Sequence, residues 1–282
     1  MKRLLRWAGF GLAGLVTVAL CLALGAFAAS EVMIRRAYPK APVRIAAATD
    51  PAALERGRKV AILNGCHDCH GGDFTGKLFH DEMPILRAYA PNLTLAAAEQ
   101  SDAELDRAIR HGVAADGRTL WVMPSDAFAR LTDAEASDLL AYVRSFPVKG
   151  EALPRTQVGP VGRLGVLMGK FDSAPGMLKA QGAIEPPRVG AEHEAGRRLA
   201  RACIECHGPA LTGREVVGAP DLTIAAAYDL ADFETLLRTG IAPGGRKVGL
   251  MSQVSPARFN ALTHQEVAAL HAYLRARADR LL

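Results

Sequence analysis

Hydrophobic positions follow three patterns along this chain. From Trp7 to Ser30, 24 consecutive residues carry no charge, about 36 Å as an α-helix against a bilayer hydrocarbon core of about 30 Å. That length predicts a membrane-spanning helix. A secretory signal has a shorter apolar region of about 7–15 residues, so length favours an uncleaved anchor even though Ala26-Phe27-Ala28 imitates a cleavage site. Farther on, apolar residues recur at helical spacing in short segments, three of them opened by capping boxes: Ser101-x-x-Glu104 before Leu105 and Ile109, Thr132-x-x-Glu135 before Leu139 and Val143, and Thr263-x-x-Glu266 before Val267 and Leu270. Asp50-Pro51 reads as an N-cap with proline at the first helical position. No segment alternates convincingly as a strand, and the predicted class is all-α.

The third pattern is irregular. Glu31 to Thr49 reads as a stalk, with Pro39 and Pro42 stopping any continuation of the first helix. Val148 to Val189 holds five prolines and seven glycines around an apolar centre, Val161 to Phe171. It is too long for a passive loop, and the apolar run predicts packing across its flanking halves or contact with a partner.

Those halves are repeats. Glu55-Arg56-Gly57 answers to Glu194-Ala195-Gly196, His70–Gly76 to His207–Gly213, and Pro91-Asn92-Leu93-Thr94 to Pro220-Asp221-Leu222-Thr223. Leu105, Ile109, Gly112 and Met123 answer to Phe233, Leu237, Gly240 and Met251 at a constant offset of 128, and Leu131-Thr132 answers to Leu262-Thr263 at 131. Offsets that drift in this way place insertions in loops. The predicted organisation is an N-terminal tip, anchor and stalk over 1–48, a first domain over 49–147, a linker over 148–189 and a second domain over 190–282.

Charge and cysteine usage narrow the picture. The net charge of +5 comes from Lys2, Arg3 and Arg6 and from the stalk, leaving 27 basic and 27 acidic residues from Pro51 onward. The basic pI is thus no sign of nucleic-acid binding. Four of the five cysteines form two motifs of one pattern, Cys66-His67-Asp68-Cys69-His70 and Cys203-Ile204-Glu205-Cys206-His207, while Cys21 lies in the apolar stretch.

A C-x-x-C-H run is a covalent haem c attachment motif. Two thiols add across the vinyl groups of one porphyrin, and the following histidine offers imidazole to the iron. Two copies predict two haems, bound to Cys66, Cys69 and His70 and to Cys203, Cys206 and His207. For the sixth ligand the repeat points to Met123 and Met251, each 11 residues past a matched glycine and each followed by a capped helix. A thioether is a soft ligand that raises reduction potential. Met83 competes in the first half but has no counterpart in the second, and His80 and His111 offer an imidazole alternative there. His67 reads as a spacer residue matched by Ile204.

With these motifs the chain resembles membrane-anchored dihaem cytochromes c built of two tandem class I cytochrome c domains. It is also similar to the cytochrome subunits of bacterial alcohol and gluconate dehydrogenases, which usually carry three haems where two motifs stand here. The resemblance implies that the carbonyls of Pro91 and Pro220 accept the Nδ1 proton of the proximal histidines, and that Gly57 with Tyr142 and Gly196 with Tyr273 form the crossing of first and last helices. It further implies haem domains in the periplasm, a single-pass anchor in a bacterial cytoplasmic membrane, and electron transfer between a redox protein, such as a membrane-bound dehydrogenase or oxidase complex, and a respiratory-chain acceptor. The competing expectation is a dihaem peroxidase or thiol-oxidising dehydrogenase, which needs an iron that is open or otherwise ligated.

Overall fold

The computed structural model describes residues 2–40, 42–182, 184–215 and 218–280. Helix α1 (Lys2–Ile34) stands out from the rest as one apolar rod. Its Arg6–Ile34 portion has a mean hydropathy of 2.3 and is long and apolar enough to cross a membrane.

The predicted stalk is laid along the first half instead of standing free. Trp121 donates its indole N–H to the Ile34 carbonyl at 3.1 Å, and Lys40 reaches the Ala115 carbonyl at 2.6 Å. Ala47 N–H bonds the Asp102 carboxylate at 2.7 Å, and Ala48 N–H the Ser137 carbonyl at 3.1 Å. Helix α1 already stops at Ile34, five residues before Pro39, and the chain from there on finds partners on the folded half.

Each half is built on one close helix crossing. In the first, α2 (Ala53–Leu63) crosses α7 (Asp133–Arg144); in the second, α10 (Glu194–Leu199) crosses α14 (His264–Asp279). Glycine is required at both crossings: a Cβ on Gly57 would lie 2.0 Å from the Asp138 carbonyl oxygen and 2.7 Å from the Tyr142 Cβ, and one on Gly196 2.1 Å from the Ala269 carbonyl oxygen and 2.6 Å from the Tyr273 Cβ. The middle helices also match: α5 (Asp102–His111) stops at Gly112 and α12 (Leu230–Thr239) at Gly240, both left-handed C-caps. The capping boxes at Ser101, Thr132 and Thr263 form as predicted, each with both reciprocal bonds. Helix α2 begins two residues beyond Pro51, with Ala52 and not Asp50 in the N-cap position. The Asp50 carboxylate is held by Arg56 at 2.8 Å, and Arg56 in turn grips Asp138 of α7.

Two separate apolar clusters result. One gathers Phe74, Leu105, Phe128, Leu139, Leu140 and Val143, the other Ile204, Leu211, Phe233, Phe259, Leu270 and Tyr273. The main departure from the all-helical expectation is a hairpin of β1 (Lys77–Glu82) and β2 (Leu86–Ala90), extended by the short β3 (Gln157–Val158). It fills the interval by which the first half exceeds the second between histidine and proline. Strand β1 is exposed at five of its six positions, so no apolar alternation betrays it in the sequence.

The linker packs, though chiefly on the first half. Its β3 joins the hairpin, α8 (Pro160–Leu167) lies against α1, and α9 (Ala174–Gln181) covers α6 (Ser125–Phe128), the helix following Met123.

Candidate haem sites

The two Cys-x-x-Cys-His motifs are short helices, α3 (Cys66–His70) and, after Cys203, α11 (Ile204–His207). The chain leaves each histidine by the same route. Gly76 N–H bonds the His70 carbonyl at 2.8 Å and Gly213 N–H the His207 carbonyl at 2.9 Å, while Leu93 N–H and Leu222 N–H return to the Phe74 and Leu211 carbonyls. Phe74 and Leu211 both have φ of 60° and both are fully buried. This left-handed conformation is unfavourable for bulky residues and persists because core packing holds it.

The prolines then meet the histidines. Asn92 accepts from the N–H groups of Thr94 and Leu95 at the start of α4 (Leu93–Glu99), and Asp221 from that of Thr223, so each caps the turn that follows. The preceding carbonyls lie close to the imidazoles: His70 Nδ1 donates to Pro91 O at 2.9 Å and His207 Nδ1 to Pro220 O at 2.8 Å. That tautomer leaves Nε2 with its lone pair free for a metal. Burial lowers the pKa of both imidazoles, against the opposing pull of the proline carbonyls, and favours the neutral form a metal requires. Burial also pushes the Cys66 and Cys203 thiols up to about 12.

In the second half Cys203, Cys206, His207, Pro220 and Met251 line one cavity of about 330 Å³, walled by Val248, Leu250, Val254 and Phe259. The groups on this apolar cavity fit a covalently held haem: two thiols able to take up its vinyl groups, and an imidazole and a thioether able to bind its iron. In the first half Cys66 and Met123 pack against the same apolar cluster. Met83 lies elsewhere, 48% exposed at the turn of the hairpin. His80 is exposed on β1 beside Glu82, and His111 sits half-buried at the end of α5.

His67 does more than space the cysteines. It stacks on Phe74 with ring centroids 4.3 Å apart and meets Tyr142 edge-on. Its counterpart Ile204 is 2% exposed, so this motif position supplies core packing in both halves.

The residue that sequence reasoning missed is Arg258, at the end of α13 (Met251–Arg258). It lines the second cavity, and its guanidinium bonds Asp68 of the first motif at 2.8 Å and Glu205 of the second at 3.0 Å. Burial pulls its pKa down, but the Glu205 and Asp68 carboxylates outweigh burial and leave it raised. Gly65, just before Cys66, makes room for it, since a Cβ there would meet the guanidinium at 2.4 Å. The two motifs therefore face one another across a single cation. An acid inside one motif says nothing by itself, but Asp68 and Glu205 occupy the same place in the repeat, and that pairing is the available signal.

These features define a class: a helical protein built on a twice-repeated Cys-x-x-Cys-His motif. The profile of the cytochrome c family matches residues 54–147 and 193–278, and the chain belongs to that family, whose domains carry covalently bound haem c. It is 26% identical over 278 residues to the fructose dehydrogenase cytochrome subunit of Gluconobacter japonicus, covering 85% of this chain and 55% of that protein. It is 31% identical over 215 residues to one of the subunits of the nicotinate dehydrogenase of Pseudomonas putida, covering 69% of this chain and 17% of that one. To the cytochrome c subunit of the quinone alcohol dehydrogenase of Gluconacetobacter polyoxogenes it is 35% identical over 102 residues, covering 33% of this chain and 22% of the relative. The chain thus spans about half the length of the first relative and less than a quarter of the other two.

Proposed function

We propose that this chain is a membrane-anchored dihaem cytochrome c that carries electrons for a membrane dehydrogenase. The observation that carries the reading is the meeting of Asp68 and Glu205, one from each attachment motif, on Arg258. A chain that only stored two separate haems has no need to hold their attachment helices together. A relay does, because electron transfer falls off steeply with separation.

In this reading the domains run over 49–147 and 190–282. Cys66 and Cys69 with His70, and Cys203 and Cys206 with His207, each hold one haem c, which when bound supplies reversible one-electron chemistry at iron. The carbonyls of Pro91 and Pro220 keep the histidine tautomer and orientation. Met123 and Met251 supply the sixth ligands, and the half-buried placing of both supports them over the exposed Met83. Helix α1 crosses a bacterial cytoplasmic membrane once, with the haem domains in the periplasm. Electrons enter from a dehydrogenase of the kind that the named relatives serve and leave to a respiratory-chain acceptor.

Mild detergent extraction followed by identification of co-purifying subunits tests the partner. A dehydrogenase should accompany the cytochrome and reduce both haems when given its substrate. A chain that purifies alone with a high-spin ferric spectrum and turns over peroxide overturns the relay.

A further inference from the structure

Helix α8 and the turn after it present an apolar stripe that the described residues leave exposed. Val161, Leu164, Met168 and Phe171 are 50%, 55%, 61% and 48% exposed. Val161, Leu164 and the C-cap Met168 are spaced three and four residues apart and so share one side of the helix, and Phe171, beyond the left-handed Gly169, folds back so that its ring lies over Gly165 on that same side. The other sides of α8 are occupied. Val166 is 1% exposed, and a Cβ on Gly162 would lie 2.3 Å from the Ile85 carbonyl oxygen, so one side rests on the hairpin. Another side lies on α1 through Arg163, whose guanidinium donates to Ser30 Oγ at 3.0 Å, pairs with Glu31 at 2.7 Å and sits 4.2 Å over the Phe27 ring.

Those three partners fix where α8 stands. Phe27 and Ser30 close the uncharged stretch of α1, and Glu31 is the first charge beyond it. Arg163 therefore straddles the boundary between apolar and polar portions of the anchor. Its charge is answered there by Glu31, so the pair can sit where neither ion alone is tolerated. With eight residues, α8 is about 12 Å long and too short to cross a bilayer.

We infer that α8 is an interfacial helix, seated in the outer headgroup boundary of the bilayer, with Val161, Leu164, Met168 and Phe171 as its lipid-facing side. The inference rests on α1 being a membrane anchor. The occupant follows from continuity: the stripe adjoins the end of a helix whose own surface faces lipid, and short amphipathic helices bury their apolar side about 5–10 Å into this zone. Exposed Lys170 at the end of the stripe is placed to reach lipid phosphates. The consequence is orientation. A single helix leaves a domain free to swing, whereas α1 and α8 together hold the first haem domain at a set angle to the membrane.

The test uses the full, haem-loaded chain carrying Cys21→Ser, reconstituted in vesicles of phosphatidylethanolamine and phosphatidylglycerol. A nitroxide is attached after Leu164→Cys or Met168→Cys, with Leu15→Cys inside α1 and Asp279→Cys on the last helix as lipid and solvent references. Collisions with oxygen relative to a water-soluble nickel chelate are read by power saturation. The ratio at Leu164 and Met168 should be several-fold above that at Asp279 and approach that at Leu15. A solvent-like ratio at both sites while Leu15 stays lipid-like overturns the inference and leaves the anchor standing. A solvent-like ratio at Leu15 overturns the anchor itself and the inference with it. Shielding of Leu164 and Met168 from both colliders means that protein covers the stripe, and this too overturns the inference.

Discussion

The guanidinium of Arg258 lies 2.8 Å from the carboxylate of Asp68, although 190 residues separate the two in sequence. Glu205 closes the other side at 3.0 Å, and Lys59 of α2 adds a second tie by pairing with Glu266 of α14. The two halves are thus joined beside their cofactor-binding motifs. Arg258 is 12% exposed while its partners are 44% and 42% exposed, so the arginine is the desolvated member and depends on both carboxylates for its compensation.

Replacing Arg258 by Leu leaves two carboxylates facing each other without their cation. Thermal unfolding should show a loss of no more than about 1 kcal/mol, because the two carboxylates left behind are 44% and 42% exposed and water screens their repulsion. Removing a positive charge beside the sites also favours the ferric state, so at least one reduction potential should fall. Arg258→Lys should recover part of the potential but less of the stability, because an ammonium cannot span both carboxylates as the fork does. Unchanged potentials in Arg258→Leu argue against any electrostatic role.

Gly57→Ala and Gly196→Ala each drive a methyl into a backbone carbonyl at the helix crossing, at 2.0 and 2.1 Å. Overpacking of this kind costs about 1–3 kcal/mol or more. Each variant should loosen its own half, so that the protein with Gly57→Ala loses the first haem environment at lower temperature and that with Gly196→Ala the second. Separate melting of the two Soret signals would read this directly.

Much of the fold was legible because the repeat supplies its own control. Paired glycines at 57 and 196, paired capping boxes at Thr132 and Thr263 and paired Pro-Asn/Asp-Leu-Thr segments each encode a local geometry, and the structure forms all of them. The hairpin after Gly76 was not legible, because an exposed strand outside the repeat carries no alternation. The docking of the Glu31–Thr49 segment was hidden for a different reason: its bonds are mostly to backbone carbonyls, which leave no trace in side-chain pattern. Asp50 sits just ahead of α2 as its chemistry suggested, but Ala52 holds the N-cap position, and the tie from the Asp50 carboxylate through Arg56 to Asp138 of α7 is a tertiary contact that local sequence does not report. Arg258 acts between halves, and no pattern within one half reports it.

Haem content follows from the motifs. The purified chain should bind two covalent haems by pyridine haemochrome against protein mass, and Cys66→Ala with Cys69→Ala should leave one. The surviving haem should belong to the second half, since Cys203, Cys206 and His207 draw on their own cavity. One haem in the unaltered, fully matured protein would sink the two-site reading.

The sixth ligands decide between relay and enzyme. Met251 shares a cavity with His207, and Met123 packs against the cluster that Cys66 also contacts, whereas Met83 is exposed on the hairpin. The oxidised protein should therefore show the weak far-red sulfur-to-iron absorption band, and Met123→His or Met251→His should each remove about half of it. Either change should also lower the potential of one haem only, because exchanging a thioether for an imidazole ligand stabilises ferric iron. Met83→Leu should alter neither the band nor either potential. If Met83→Leu instead removes half the band while Met123→His leaves it intact, the hairpin must fold over the first haem and the ligand in that half is Met83. If neither Met123→His nor Met83→Leu changes the band, the first iron is bound by some other group. His111, half-buried at the end of α5, is then the next residue to replace.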